Sequence, residues 1–182
     1  MEISKIPTGQ SPPHDLNAFI QIALDGGPVR YEFDSQVKAL FVSRFFEMSE
    51  QHLAGCGFVP NTLAANGRPI DIVVAMPFLV APRTVVRCRP IGALIMDNDN
   101  RYNEVLIAVP IDALRPRLSY LRVQSYRDLP DVLVGRITEF FGSGGTRSHG
   151  RSAPRRKWVG YEEACSLAMI AINRHELKAC CR

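Results

Sequence analysis

The chain has 182 residues, of which 46% are hydrophobic and 22% are charged. These values are typical of one globular domain with a buried core, and the length is short for two. No apolar run approaches the ~20 residues that cross a bilayer, and the N-terminus lacks the pattern of a secretory signal. Five cysteines without a Cys-x-x-Cys pair predict neither a disulfide scaffold nor a zinc site. We therefore expect one cytoplasmic domain over residues 1–182.

The net charge of +4 is concentrated in one segment. Residues 142–157 hold five of the 22 Lys and Arg and none of the 18 Asp and Glu, which leaves 17 basic and 18 acidic residues elsewhere. The segment is also rich in Gly and Ser. We predict that it is a basic insert forming a solvated, disordered loop.

Five short β-like runs occupy the first two thirds of the chain. Each is rich in β-branched or aromatic residues and is bounded by Gly, Pro, Asn or Asp; they are residues 19–24, 38–45, 70–75, 84–95 and 105–109. Within the fourth run, residues 85–90 predict a central strand that Pro90 stops. Five strands with little helix between them favour a small closed barrel over a parallel sheet.

Two helical segments follow the strands. Asp128 is a good N-cap, and apolar residues then recur at helical spacing as far as Gly142. A second helix is predicted from about Tyr161, with one face formed by Cys165, Ala168, Met169 and Ile172. The fold class is therefore α+β, with a barrel that carries two helices.

Several short segments occur in the order and spacing of a known family. The most specific is Val-Arg-Cys-Arg-Pro-Ile-Gly-x-Leu-x-Met at 86–96. The others include Ile-Pro-x-Gly at 6–9, Pro-Val-Arg-Tyr-Glu at 28–32, Ala-Leu-Phe-Val-x-Arg-Phe at 39–45, Pro-Ile-Asp-Ile-Val-Val at 69–74, Asp-Leu-Pro at 128–130 and Lys-Trp-Val at 157–159. With this ordered set, the chain resembles the soluble, family I type of inorganic pyrophosphatase.

The resemblance implies an OB-like five-stranded barrel with two flanking helices. It also implies hydrolysis of diphosphate to two phosphates with several Mg²⁺ ions, and a homohexamer as in bacterial members. This chemistry needs divalent cations that neutralise the phosphate oxygens and lower the pKa of a bridging water. Because Mg²⁺ prefers oxygen ligands in octahedral geometry, several carboxylates must converge on one cavity.

The family's main metal loop, D-G-D-P-x-D, falls on residues 66–71. Asp71 keeps the last acid, whereas Asn66 and Arg68 replace the first two. An amide oxygen is a weak ligand, and a guanidinium repels a metal ion. Of the three acids that the resemblance implies here, one remains.

The second acidic loop of the family, D-E-x-x-x-D-x-K, falls on residues 98–105. Only Asp99 keeps an acid at its place; the changed positions include Asn98, Asn103 and Val105. Asp97 and Glu104 lie one residue outside the pattern. An alternative therefore stays open, in which a local shift of the loop returns one of them to the site.

On the phosphate side the resemblance implies mixed retention. Arg30 stands for a lysine, Arg44 matches, and Glu32 is kept as the group that assists the water, while Gln21, His52 and Cys56 replace functional residues. The resulting assignments are Glu32 and Asp71 as catalytic residues, Arg30 and Arg44 as substrate-binding residues, and Asp71 and Asp99 as metal ligands. The substitutions make the cavity about five charge units more positive.

Three functions follow as hypotheses. The first is a pyrophosphatase-like protein, a pseudoenzyme or an impaired enzyme, that has lost most ligand carboxylates. The second is a working magnesium-dependent diphosphatase with a reduced metal site. The third is a metal-free protein that binds phosphate or another polyanion through Arg30, Arg44 and Arg68, or that serves as an oligomer scaffold. We expect no membrane partner and no nucleic acid, because the basic insert lacks interleaved aromatic residues.

Overall fold

A computed structural model describes residues 2–22, 29–34, 36–37, 39–45, 54–76, 80–98, 101–111, 123–142 and 155–180. The strands are β1 (Leu16–Ile22), β2 (Val29–Asp34), β3 (Ala39–Phe45), β4 (Ala54–Phe58), β5 (Asp71–Ala75), β6 (Val85–Asn98), β7 (Arg101–Pro110) and β8 (Arg155–Val159). The helices are α1 (Asp131–Gly142) and α2 (Tyr161–Cys180). Among the described residues, no helix is long and apolar enough to span a membrane.

Five strands close into a ring. They follow the order β1-β4-β5-β7-β6, and β1 also pairs with β6. Of the described pairings, only β5 with β7 is parallel. Strand β8 extends the sheet beyond β6, and β2 pairs with β3 as a separate hairpin. The expected OB-like five-stranded barrel with two flanking helices is confirmed.

Side chains alternate along the central strands and sort into two buried clusters. Leu106 and Ala93 pack with α2 residues such as Ala168, and we call this side the α2 face. Val105 and Leu94, each one residue away, pack with α1 residues such as Leu133 and Ile137, on what we call the α1 face. Helix α2 buries Cys165, Ala168 and Ile172 as the sequence predicts, whereas Met169 of the predicted face is only half-buried. A strand residue therefore packs against α1 or against α2, depending on the side of the strand to which its side chain points.

Two predicted element boundaries are wrong. Strand β6 does not stop at Pro90 but continues to Asn98, because the pairing with β7 shifts register between Pro90 and Gly92. A bulge of this kind accommodates a residue that has no N–H to donate. Asp128 does not cap α1, since its carboxylate accepts from the N–H groups of Gln124 and Ser125 at 2.8 and 2.9 Å. It thereby closes a 3₁₀ turn, and α1 begins at Asp131.

The sequence pattern also misses three strands. Residues 155–157, predicted to end a loop, lie in β8, where they pair with β6. Strand β4 has the sequence AGCGF, whose glycines weaken the strand signal. Strand β2 is likewise absent from the predicted β-like runs. The remaining residues of the predicted insert, 143–154, lie outside the described part of the chain.

Gly57 permits the close contact between β4 and β1. A Cβ atom at this position would lie 1.8 Å from the carbonyl oxygen of Phe19, which belongs to the paired backbone and cannot swing away. We expect Gly57→Ala to lower the free energy of unfolding by more than about 2 kcal/mol in a denaturant titration.

Gly135 provides the matched control for that substitution. It lies in α1, and a Cβ atom added there would have nothing within 4 Å. Gly135→Ala should raise the free energy of unfolding by about 0.5–1 kcal/mol, because alanine loses less backbone freedom in a helix. Equal effects of the two substitutions would contradict the close approach of β4 to β1.

Candidate functional site

The turn that precedes β5 is fixed by its own hydrogen bonds. The N–H of Ala64 donates to the carbonyl of Arg68 at 2.8 Å, and the N–H of Gly67 donates to the carbonyl of Ala64 at 3.0 Å. Gly67 has a φ of 78°, a conformation that glycine adopts without strain. The turn therefore presents Asn66 and Arg68 at the surface, and both side chains are exposed.

A buried hydroxyl holds the base of the same loop. Thr62, which is 3% exposed, donates to the carbonyl of Val59 at 2.6 Å and accepts from the N–H of Ile70 at 3.1 Å. These bonds join the end of β4 to the start of β5, and the direct bond from the N–H of Val59 to the carbonyl of Ile70 reinforces them. Asp71, the next residue, begins β5 from a rigid base.

Asn66, Asn103 and Asp71 form a continuous chain of hydrogen bonds. The backbone N–H of Arg68 donates to Oδ1 of Asn66 at 2.9 Å. Nδ2 of Asn66 donates to Oδ1 of Asn103 at 2.8 Å, and Nδ2 of Asn103 donates to Oδ2 of Asp71 at 3.3 Å. The structure thus brings together three side chains that are distant in sequence. Asn66 and Asn103, which bond directly, are separated by 37 residues.

The parallel pairing of β5 and β7 explains this convergence. Asp71 lies directly beside Val105 in the register. Asn103 is two residues before Val105 on the same strand, so its side chain points to the same α1 face. The loop containing Asn66 enters β5 at this end of the pair. Register and side-chain parity together therefore define the site.

Asp97 and Glu104 lie on the opposite side of the sheet. Glu104 is paired with Ile95 and Asp97 with Tyr102, and Ile95 packs in the cluster beneath α2. The neighbouring Asn103 and Met96, by contrast, belong to the α1 face. The alternative in which a loop shift returns Asp97 or Glu104 to the site is therefore wrong, because a shift by one residue would also exchange every buried side chain.

Glu104 is enclosed instead under the far face. It is 4% exposed, and the hydroxyl of Tyr102 hydrogen-bonds to its carboxylate. Partial burial and the negative charge of Glu104 together raise the pKa of Tyr102, and the nearby Arg174 of α2 opposes this shift. The pair therefore lies on the α2 side of β7 and not in the site around Asp71.

The α1 face is apolar beyond the hydrogen-bonded chain. Val73 continues the row of Asp71 along β5 and is paired with Cys56 on β4, and both side chains are buried. They line a cavity of about 20 Å³ together with Phe140 and Phe141 of α1. This volume is enough for roughly one water molecule. Beyond the polar residues, the α1 face therefore consists mainly of apolar packing between the barrel and α1.

Cationic side chains border this face. Met96 is paired with Asn103 on one side and with Arg156 of β8 on the other. Arg156 therefore lies on the same face as Asn103, two strands away, or roughly 10 Å. Its side chain and that of Arg68 are exposed. Asp71 is thus the acidic residue of a site whose other described polar groups are neutral or positive.

The geometry can be compared with that of known proteins. Residues 18–176 match the family described as inorganic pyrophosphatase. The chain belongs to the inorganic pyrophosphatase family. Several relatives match over nearly their whole length, so the similarity extends well beyond the short motifs.

Three relatives illustrate the match to the family. An inorganic pyrophosphatase of Caulobacter vibrioides is 41% identical over 175 residues, covering 96% of this chain and 98% of the relative. One of Pseudomonas aeruginosa is 39% identical over 162 residues, covering 89% and 88%. A crystal structure of an inorganic phosphatase of Anaplasma phagocytophilum has a TM-score of 0.82 at 30% identity, covering 94% of this chain and 99% of that chain.

The structure places some of the predicted family site residues and not others. Asp71 lies in the site described above. Asp99 and His52 lie outside the described residues, and for Glu32, Arg30 and Arg44 the description extends to the backbone alone. Arg30 and Arg44 are directly opposite each other in the pairing of β2 with β3. Their assigned roles, and that of Glu32, stay predictions.

Two features of the site escape the sequence patterns. In the sequence, Asn66 and Asn103 stand out only as lost acids, although the structure shows that they bind each other. Arg156 falls in the predicted basic insert, although it lies on the face of Asn103. The paired change of two acids to amides is the available signal, because amides can bond to each other and carboxylates cannot.

Proposed function

We propose that this member of the inorganic pyrophosphatase family is impaired or inactive in the Mg²⁺-dependent hydrolysis of diphosphate. The supporting observation is the hydrogen-bonded chain through Asn66, Asn103 and Asp71. Asn66 and Asn103 stand where the resemblance places carboxylates. Their contact is made by an amide group to an amide oxygen, with no gap for a cation at 2.8 Å.

These side chains do not fit Mg²⁺. The ion requires oxygen ligands, yet Oδ1 of Asn66 is occupied by the N–H of Arg68, and Oδ1 of Asn103 by Nδ2 of Asn66. The carboxylate of Asp71 accepts from Asn103. In the part of the chain that the structure describes, no three His, Cys, Asp or Glu residues come together as a metal-binding group. We therefore derive no catalytic step through a metal ion.

Charge supports the same proposal. Activation of water next to diphosphate requires a lowered pKa of that water, which a metal ion supplies by coordinating the water directly. Fixed guanidinium groups neutralise phosphate oxygens, but they do not ionise a bound water in this way. Arg68 and Arg156 therefore favour binding of an anion over its hydrolysis, and the buried Val105 beside Asp71 offers no polar group.

A working diphosphatase with a reduced metal site is the competing candidate. It is favoured by the 41% identity to a relative named inorganic pyrophosphatase over nearly the full length of both chains. From the sequence, this candidate needs Asp71, Asp99 and either Asp97 or Glu104 to bind the metal, with Glu32 assisting the water. Asp97 and Glu104 do not contribute, because they lie on the α2 face.

Phosphate release from diphosphate distinguishes these two candidates. We expect the purified protein to release no more phosphate with Mg²⁺ or Mn²⁺ than with EDTA, because the described site lacks carboxylates other than that of Asp71. Asp71→Asn is the matched control, since it removes one negative charge with little change of shape. The substitution should leave this background rate unchanged.

A turnover in the usual enzyme range of about 1–1000 per second would contradict the proposal. A metal-dependent rate that Asp71→Asn abolishes would establish the reduced site instead. The protein must be purified from cells in which the host pyrophosphatase carries a removable tag, so that contamination is not mistaken for activity.

Metal-free binding of an anion is a further candidate, supported by one observation of the backbone. Arg30 and Arg44 occupy directly opposite positions on paired strands. Like charges at such positions destabilise a hairpin, whereas an anion held between two guanidinium groups would reverse the sign of the interaction. The pair of Arg30 and Arg44 would then bind phosphate or diphosphate without catalysing hydrolysis.

Titration calorimetry with diphosphate in EDTA tests the anion site. We expect binding that Arg44→Gln weakens by at least about tenfold, since a bidentate contact to phosphate is worth more than an ordinary hydrogen bond. Arg174→Gln is the control, because it removes the same charge from the α2 side of the barrel. No heat at millimolar diphosphate, or equal losses in both variants, would reject this candidate.

A cytoplasmic homohexamer is part of the same proposal and rests on the family resemblance. Ile170 and Leu177 are two turns apart on α2 and remain 44% and 69% exposed, which supports contact with another subunit. Light scattering of the purified protein should give about six times the mass of one chain, 20.3 kDa. A monomeric mass at micromolar concentration would contradict the hexamer.

A further inference from the structure

We propose that the side-chain pair of Asn66 and Asn103 holds the two loops together without a cation, in the place where carboxylates would need a divalent ion between them. The proposal rests on the proposed function, because both concern the same residues. It adds that Asn66 and Asn103, which stand where the resemblance places acids, together stabilise the protein when no metal ion is bound. Its consequence is a fold whose stability does not depend on Mg²⁺.

The two ends of this series of hydrogen bonds determine which atom donates and which accepts in every bond. The backbone N–H of Arg68 can only donate, so the atom of Asn66 that faces it at 2.9 Å is the oxygen. The amide nitrogen of Asn66 is then left for Asn103. Asn103 must present its oxygen, which leaves its own nitrogen for the carboxylate of Asp71. The carboxylate of Asp71 can only accept, so the direction of each bond is fixed from this end as well.

Only a side chain with both a donor and an acceptor satisfies the two middle positions. Aspartate has nearly the shape of asparagine, but when ionised it only accepts. With aspartate at both positions, the contact of 2.8 Å would join two carboxylates, and a third, that of Asp71, would lie 3.3 Å further on. Such a group is stable only when a cation or protons separate the charges.

The direction of the chain also ranks the two single substitutions. Asn103→Asp removes the donor to Asp71 and places two carboxylates side by side. The amide of Asn66 still has an acceptor in that variant. Asn66→Asp removes only the donor to Asn103, whose bond to Asp71 remains. Asn103→Asp should therefore destabilise the protein more than Asn66→Asp, although both introduce one negative charge.

Thermal unfolding of the full chain, in EDTA and in millimolar Mg²⁺, tests the proposal. We expect the wild-type Tm to be the same in both buffers. In the double variant Asn66→Asp/Asn103→Asp, the Tm in EDTA should fall by about 5 °C or more, as expected when interactions of this strength are lost in a chain of this size. Mg²⁺ should restore most of that loss, because the ion binds the folded carboxylate cluster in preference to the unfolded chain.

Asn61→Asp is the matched control. Asn61 donates from Nδ2 to the carbonyl groups of Ile6 and Ser4, at 2.9 and 3.3 Å. The substitution therefore also removes an amide donor that joins two segments, but it creates no cluster of carboxylates. Its Tm should fall in EDTA, and Mg²⁺ should not restore it.

Two results would overturn the proposal. One is a wild-type Tm that rises with Mg²⁺ as much as that of the double variant, since the native loops would then bind the ion. The other is a double variant whose Tm equals that of the wild type in EDTA. Rapid Mg²⁺-dependent release of phosphate by the wild type would instead refute the proposed function, so the two failures are distinguishable.

Discussion

The parallel pairing of β5 with β7 is the constraint on which the site depends. It places Asp71 beside Val105 and thereby brings the loop before β5 against the first residues of β7. Parallel neighbours cannot be joined by a tight turn, and here β6 and its connections separate them in sequence. Asn66 and Asn103 therefore come together only when β5 and β7 pair across this separation. The same pairing buries Val73 and Ile107 against α1, so packing and site geometry depend on one register.

The alternation of side chains along each strand, together with this register, determines which residues reach the site. Strands β5, β6 and β7 present alternate residues to α1 and α2, and both faces are buried. A carboxylate one position away from the family pattern is therefore lost to the site, as Glu104 shows by its enclosure beneath α2. The apolar partners on both faces prevent a slip by one residue, because every core side chain would change sides. A carboxylate close in sequence to the family's metal-loop pattern therefore reaches the site only if its side chain lies on the α1 face.

The described centre is held together by hydrogen bonds among its own residues. A buried hydroxyl at Thr62 and a glycine turn at Gly67 fix the loop, and two amides then satisfy one another between a backbone donor and a carboxylate. This arrangement resolves the repulsion that acids in the same positions would create. Arg68 and Arg156 are exposed and lie at the border of the centre, outside the series of hydrogen bonds.

The sequence by itself determined the family, the α+β class, most of the buried face of each helix and the position of Asp71. These follow from local pattern and from ordered motifs, which the sequence contains directly. It did not determine the path of β6 through Pro90, the strand within the basic segment or the role of Asp128, because each depends on a hydrogen-bonding partner distant in sequence or on a local turn that competes with a helix cap. Nor could it show that Asn66 and Asn103 bond to each other and that Glu104 faces away. Only the tertiary structure decided those points, because strand register sets which side chains share a face and the order of donors and acceptors sets which of them can pair.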